Sequence, residues 1–269
     1  MKHAKIIGFV SIKGGVGKTT AVANIGAVLS HEYAKKTLIV DANLYGPNLA
    51  LQFGFFEVQN SLHDVLEGTV KIEKAIYNIT DNLDLLPASF NAREVDSSLL
   101  LTQLLTLRSK YDVILIDSSP SNTEHFSNIV RSSDEVFIVT TPDFVTLAST
   151  LQTLKVAKKN KTYVVGIILN KAHGKDYELD LGEMQKHTKV PVVSVLYEED
   201  IVLKALSKSK PVYLMNPDSD TAIEYRKLAA ALVGDRYRDN RIKTKFKNLF
   251  KPKVQQEDIN RSIVMVSHY

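Results

Sequence analysis

Lys13-Gly14-Gly15-Val16-Gly17-Lys18-Thr19-Thr20 is the stretch around which the rest of the chain is arranged. The apolar run Ile6 to Ile12 precedes it and reads as a buried strand, and the apolar-periodic segment Ala21 to Leu29 follows it and reads as a helix. Gly14, Gly15 and Gly17 let the backbone turn tightly and approach an anion with no Cβ in the way. The free N–H groups that open the helix point at whatever the loop encloses. A polyphosphate fits there. Lys18 is placed to reach the β and γ phosphates as a point charge, Thr19 to offer its hydroxyl to Mg²⁺, and Thr20 to sit near the α phosphate.

The common phosphate-loop pattern requires a glycine at the position of Ile12. Here a second lysine, Lys13, stands just ahead of the glycines instead. Too close to the strand end to serve its own phosphates well, Lys13 is suited to serve a partner's. This K-G-G-x-G-K-T-T form resembles the deviant Walker A motif of the MinD/ParA family of P-loop ATPases. The resemblance implies an α/β fold with a doubly wound, mostly parallel sheet, ATP and Mg²⁺ as cofactors, and an ATP-dependent homodimer in which Lys13 crosses to the partner's nucleotide. It extends over roughly residues 3 to 234 and returns once in the tail.

The 269 residues are 44% hydrophobic and 24% charged, enough for one large α/β domain with a full core. The absence of cysteine excludes disulfides, thiol redox chemistry and cysteine-held zinc or iron–sulfur clusters, and so excludes the cluster-carrying relatives of this loop. No apolar run approaches the ~20 residues a membrane-spanning helix needs, and the N-terminus enters its first strand without a signal peptide. A cytoplasmic protein is expected. The net charge of +4 is concentrated: Arg236 to Lys253 holds eight Lys/Arg against Asp239 alone. That placement weakens any reading in which the whole surface coats nucleic acid.

Thr37 to Val40 reads as a strand ending in Asp41, and Val113 to Ile116 as a buried strand ending in Asp117. Carboxylates at strand C-termini face the crevice where parallel sheets place ligands. Asp41 is a candidate holder of a Mg²⁺-bound water, with a turn-forming or capping role as its alternative; Asp117 has helix capping as its alternative. The resemblance assigns Asp41 to switch I, in wording closest to the archaeal branch, and Asp117 to a Walker B-like strand that binds a water of the Mg²⁺ shell. Asn43 stands where many members have a second Asp. Asparagine positions a water but does not accept its proton, so slow hydrolysis is expected, with Lys13, Lys18, Asp41 and Asn43 as the catalytic set.

Further strands are read at Leu83 to Pro87, Glu135 to Thr140, Tyr163 to Asn170 and Val190 to Val195. Helices are read at Ser61 to Gly68, Ile72 to Tyr77, Val95 to Leu107, Asp143 to Lys158, Leu179 to His187 and Asp218 to Val233. His63 is taken as a surface or helix-start residue. Thr140-Thr141-Pro142 resembles the family's T-x-P, whereas Ser149 replaces an acidic residue that in many relatives pairs with the early lysine. By resemblance, Asn170 reads the adenine edge with its amide. Tyr197 replaces a proline beside the base, and no side-chain role is assigned to it.

Past Gly234 the tail carries Ile242, Phe246, Leu249 and Phe250 on one helical face, with lysines round the rest. This is the composition of an interfacial anchor for an anionic membrane surface, and it resembles the family's C-terminal membrane-targeting helix. A helix docked on the protein's own core and a basic arm for DNA are the competing readings. The expected division is an ATPase domain over 1–234, a basic amphipathic membrane segment over 235–253 and a flexible tail over 254–269. The resulting reading is an ATPase that dimerises on ATP, binds the inner face of the cell membrane, positions division or other machinery and leaves on hydrolysis. Its protein cargo or activator is not legible. A partition ATPase binding DNA non-specifically and a nucleotide-binding adaptor with little turnover are the alternatives.

Overall fold

Near-continuous runs of Val, Ile and Leu build the centre of the sheet, because strands covered by helices on both faces need apolar side chains on both. The computed structural model describes residues 3–91, 93–121, 123–239, 241 and 256–266, and the side chains of 263 and 266 lie outside the description. In chain order the strands are β1 Lys5–Val10, β2 Thr37–Ala42, β3 Tyr77–Thr80, β4 Leu83–Leu86, β5 Val113–Ser118, β6 Glu135–Thr140, β7 Tyr163–Ala172 and β8 Val192–Tyr197. The helices are α1 Lys18–Glu32, α2 Leu62–Leu66, α3 Leu100–Leu105, α4 Glu124–Arg131, α5 Phe144–Lys159, α6 Leu181–Thr188, α7 Asp200–Ser207, α8 Val212–Met215, α9 Asp220–Leu232 and α10 Gln256–Val266.

Among the described residues the strands form one sheet in the order β3-β4-β2-β5-β1-β6-β7-β8. Only the β3–β4 pair is antiparallel within it. Every residue of β2, β5 and β6 is buried. On one face Phe9, Ile39, Leu115 and Phe137 pack under α1 and α9. On the other, Val40, Ile114 and Ile116 meet Leu100, Leu104 and Ile129, while Val10, Ile138 and Ile167 meet Phe126, Leu147 and Met184. Each such side chain contributes ~1.5–3 kcal/mol on full burial. Contact with α1 is close enough that a Cβ on Gly26 would lie 2.7 Å from Ile39.

Several expected elements are corrected. The helix read over Val95 to Leu107 is a 3-10 turn, Ser97–Leu99, followed by the shorter α3. The segment read as helical to Tyr77 ends at Ala75, and Tyr77 opens the edge strand β3, which pairs with β4 alone.

The tail expected to be flexible over 254–269 instead contains α10, packed on β8 and α9. Asn260 Nδ2 donates to Val192 O at 2.6 Å and to Gln185 Oε1 at 2.7 Å. Arg261, almost fully buried, pairs with Glu224 at 2.8 Å and with Asp258. Val264 is fully buried. Since β8 is a sheet edge, α10 covers unpaired backbone that would otherwise invite pairing with another chain. Of the predicted amphipathic segment, Arg241 is described; Ile242, Phe246, Leu249 and Phe250 lie outside the described residues. Arg241 pairs with Asp220 at 2.5 Å and Asp239 at 2.7 Å, and donates to Asp218 O at 2.8 Å. Among the described residues no helix is long and apolar enough to cross a membrane.

Candidate nucleotide site

β1 delivers the chain to the loop and α1 receives it at Lys18. Gly15 and Gly17 have φ of 76° and 97°, in the left-handed region that favours glycine. At Gly17 a Cβ would also lie 2.1 Å from Asn170 Nδ2. Asn170 Nδ2 donates to Val16 O at 2.8 Å, so the end of β7 braces the loop. That bond uses one of two amide N–H groups, which leaves a donor and an acceptor for a base edge. Lys13, Gly14 and Gly15 are exposed, and among the described residues no ion pair involves Lys13. Ser149 sits on α5 and accepts through its carbonyl from Thr153 Oγ1 at 2.9 Å.

Lys18 is 6% exposed, and its ammonium donates to Lys13 O at 3.3 Å. Burial lowers its pKa, while the neighbouring Asp117 charge acts in the opposite direction. A cation this poorly solvated is stabilised by an anion brought to it. Thr19 Oγ1 donates to Asp117 Oδ2 at 2.6 Å.

The two carboxylates meet through strand register: Asp41 on β2 stands opposite Asp117 on β5, and both are fully buried. Asp41 accepts from the N–H groups of Asn43, Asn48 and Leu49 at 3.0, 3.1 and 3.0 Å, so its turn-forming alternative is realised in the same residue. Burial raises its pKa to about 6 against these bonds. Asp117 does not cap α4, which starts after Thr123. Burial, then the Asp41 charge, push Asp117 up to about 8. Its Oδ1 is buried with no hydrogen-bond partner. An orphaned carboxylate oxygen, a second buried carboxylate and the Thr19 hydroxyl are hard oxygen donors suited to Mg²⁺, held partly through water.

These raised values fix a sign. Between the ordinary carboxylate range and about pH 8 these two carboxyls hold more protons in the folded, metal-free chain than in the unfolded one, so their contribution to stability falls as pH rises through that window. In EDTA the melting temperature is expected to drop between about pH 7 and 8.5, and Asp117→Asn to flatten the drop. An unchanged slope in the variant would remove Asp117 as the source.

The turn after Asp41 is held by side chains that sequence reading undervalued. Asn43 Nδ2 donates to Gly46 O at 2.5 Å. His63, read as a surface or helix-start residue, does stand in the first turn of α2 but is fully buried: Nε2 donates to Leu44 O at 3.1 Å and Nδ1 accepts from Ser89 N at 3.0 Å. His125, which sequence reading passed over, donates from Nε2 to Ala42 O at 2.8 Å. Its place at the start of the helix after the Asp117 strand was the available signal. Tyr197 ends β8 exposed, 3.5 Å from where a Gly174 Cβ would lie. His173 joins that turn to the end of β8 through Glu178 and Glu198 at 2.9 and 2.6 Å.

Comparison with known proteins agrees with this geometry. A family model described as an AAA domain matches residues 4–167. The solved septum site-determining protein MinD of Pyrococcus horikoshii OT3, complexed with Mg-ADP, superposes with a TM-score of 0.80 at 33% identity, over 84% of this chain and 95% of that one. An uncharacterised ATP-binding protein of Methanocaldococcus jannaschii is 29% identical over 86% of this chain and 88% of its own length. MinD of Bacillus subtilis is 26% identical over 83% and 87% respectively. A glycine loop with a buried lysine, two carboxylates in register and an eight-stranded sheet of this order thus have one common explanation: the chain is a member of the MinD/ParA family of P-loop ATPases and uses ATP and Mg²⁺.

Proposed function

We propose that this ATPase is a nucleotide-switched, membrane-associated positioning protein. ATP and Mg²⁺ draw two copies face to face, each Lys13 reaches the other copy's phosphates, and the dimer binds an anionic membrane surface through residues 241–251. Hydrolysis separates the copies and releases them. The observation that carries the switch is Lys13 itself, exposed at the loop's rim while Lys18 is buried behind it. The membrane half rests on the stripe of Ile242, Phe246, Leu249 and Phe250 among lysines. Partial burial of such side chains yields less than ~1.5–3 kcal/mol each, each lysine near anionic lipid adds ~1 kcal/mol, and ordering the segment consumes much of this. One copy binds marginally, whereas two linked copies gain effective concentration and bind firmly.

Co-sedimentation with anionic liposomes tests this. The full chain is expected to pellet with ATP and to stay in solution with ADP, and Phe246→Ala with Phe250→Ala to abolish pelleting while ATP binding is kept. Substitution is the right perturbation because truncation after Gly234 would also remove α10 from the β8 edge. A full chain that never pellets but binds DNA with a steep salt dependence would replace this reading with the partition one.

A further inference from the structure

Two buried imidazoles hold the backbone on either side of Asn43. The His125 ring donates to the carbonyl of Ala42 and the His63 ring to that of Leu44. A carbonyl only accepts, so Nε2 carries the proton in both rings. His63 Nδ1 accepts from Ser89, which makes that ring neutral. His125 Nδ1 is buried without a partner, a position that tolerates a lone pair and penalises a second N–H. Burial lowers the pKa of both rings, assisted at His63 by Arg93 and opposed at His125 by its bond to Ala42.

The two rings come from different parts of the molecule. His63 rides on α2, whose start is fixed by a reciprocal Ser61–Asp64 box and whose acids are gripped by Arg93. His125 rides on α4, which follows the Asp117 strand, and Tyr45 from the Asn43 turn stands edge-on to it at 6.1 Å. The Asn43 peptide is thereby referenced both to the segment after β4 and to the helix after Asp117. Asn43 uses one of its two amide N–H groups on Gly46 O, which anchors the side chain to its own turn and leaves Oδ1 and the second N–H to orient a water.

We propose that His63 and His125 act together as positioning residues for ATP turnover, a two-imidazole clamp that fixes Asn43 relative to the Asp41 and Asp117 strand ends. The inference rests on the reading of Asn43 as a turnover residue. Geometry at this point matters because a misplacement of about 1 Å costs about a hundredfold in rate.

The test is single-turnover hydrolysis of ATP by the full chain, with metal-free ADP affinity measured beside it. His125→Phe is expected to slow turnover about tenfold or more, while metal-free ADP affinity, which reads the glycine loop, stays within about twofold. His125→Gln, whose amide N–H reaches the place of Nε2, is expected to recover most of the rate. The double variant with His63→Phe is expected to lose little beyond the worse single one, because both act on one turn. Turnover of His125→Phe at the wild-type rate would overturn the clamp, as would a loss in His125→Gln equal to that in His125→Phe. Should His125→Phe fail to fold, His125→Asn, too short to reach Ala42 O, takes its place against His125→Gln. Asn43→Ala separates the two levels: a wild-type rate there sinks the reading of Asn43, whereas slow Asn43→Ala beside normal His125→Phe sinks the clamp alone.

Discussion

Lys13→Ala is expected to leave folding and nucleotide affinity nearly intact and to lower ATP turnover by roughly 10³-fold, the low end of what a cation supplied across an interface contributes to phosphoryl transfer. Its ammonium makes no ion pair among the described residues and is exposed, so nothing in the fold depends on it. Its backbone carbonyl, which accepts from Lys18, is unaffected by the substitution. Affinity and rate should therefore separate: Kd for ATP within about twofold, and the rate constant of the chemical step reduced alone. Measuring both by stopped-flow on one preparation decides it. If affinity falls in step with the rate, Lys13 serves its own nucleotide and the face-to-face reading fails.

Lys18→Ala should do the opposite. Lys18 is buried and desolvated, and it opens α1 where the glycine loop ends. Its loss is expected to weaken ATP and ADP binding by about 10²–10³-fold. Nucleotide at a hundred times the wild-type Kd stabilises the native chain by about 2.7 kcal/mol, and in the variant nearly all of that disappears. The nucleotide-free chain should not be weakened, because the folded state no longer buries an under-solvated ammonium. Differential scanning fluorimetry with and without Mg-ADP reads both effects. A variant that melts well below the wild-type apo protein would show that Lys18 supports the fold through Asp117, contrary to this account.

The parts of the site that lie in one continuous stretch were legible in the sequence. Strand, glycine loop and helix stand in order from Lys5 to Glu32, and the two acidic strand ends could be seen separately. That Asp41 and Asp117 are cross-strand neighbours is a property of sheet order, and no spacing along the chain encodes it. The imidazoles were harder still. His63 meets a carbonyl at Leu44 and an N–H at Ser89, and His125 meets Ala42, contacts that exist only after three segments have packed. A helix-start histidine is usually solvated, and local pattern alone supports that default. β3 was missed because four residues carry too little alternation to outweigh the helical pattern before them. α10 was missed because its partners, Gln185, Val192 and Glu224, lie far upstream.

The helix on the β8 edge also orders events during biosynthesis. α10 is translated after every strand of the sheet, and chains begin to fold from the N-terminal side as they emerge. A nascent molecule therefore has all eight strands of the mixed sheet, with the β8 margin still uncovered, while the lysine-rich stretch between Arg241 and Gln256 is being made. In that interval Val192 O has not yet met Asn260. Ribosomes stalled within this stretch would hold a species prone to strand pairing with its neighbours. Premature termination before Gln256 is thus a route to aggregation, separate from any loss of membrane binding.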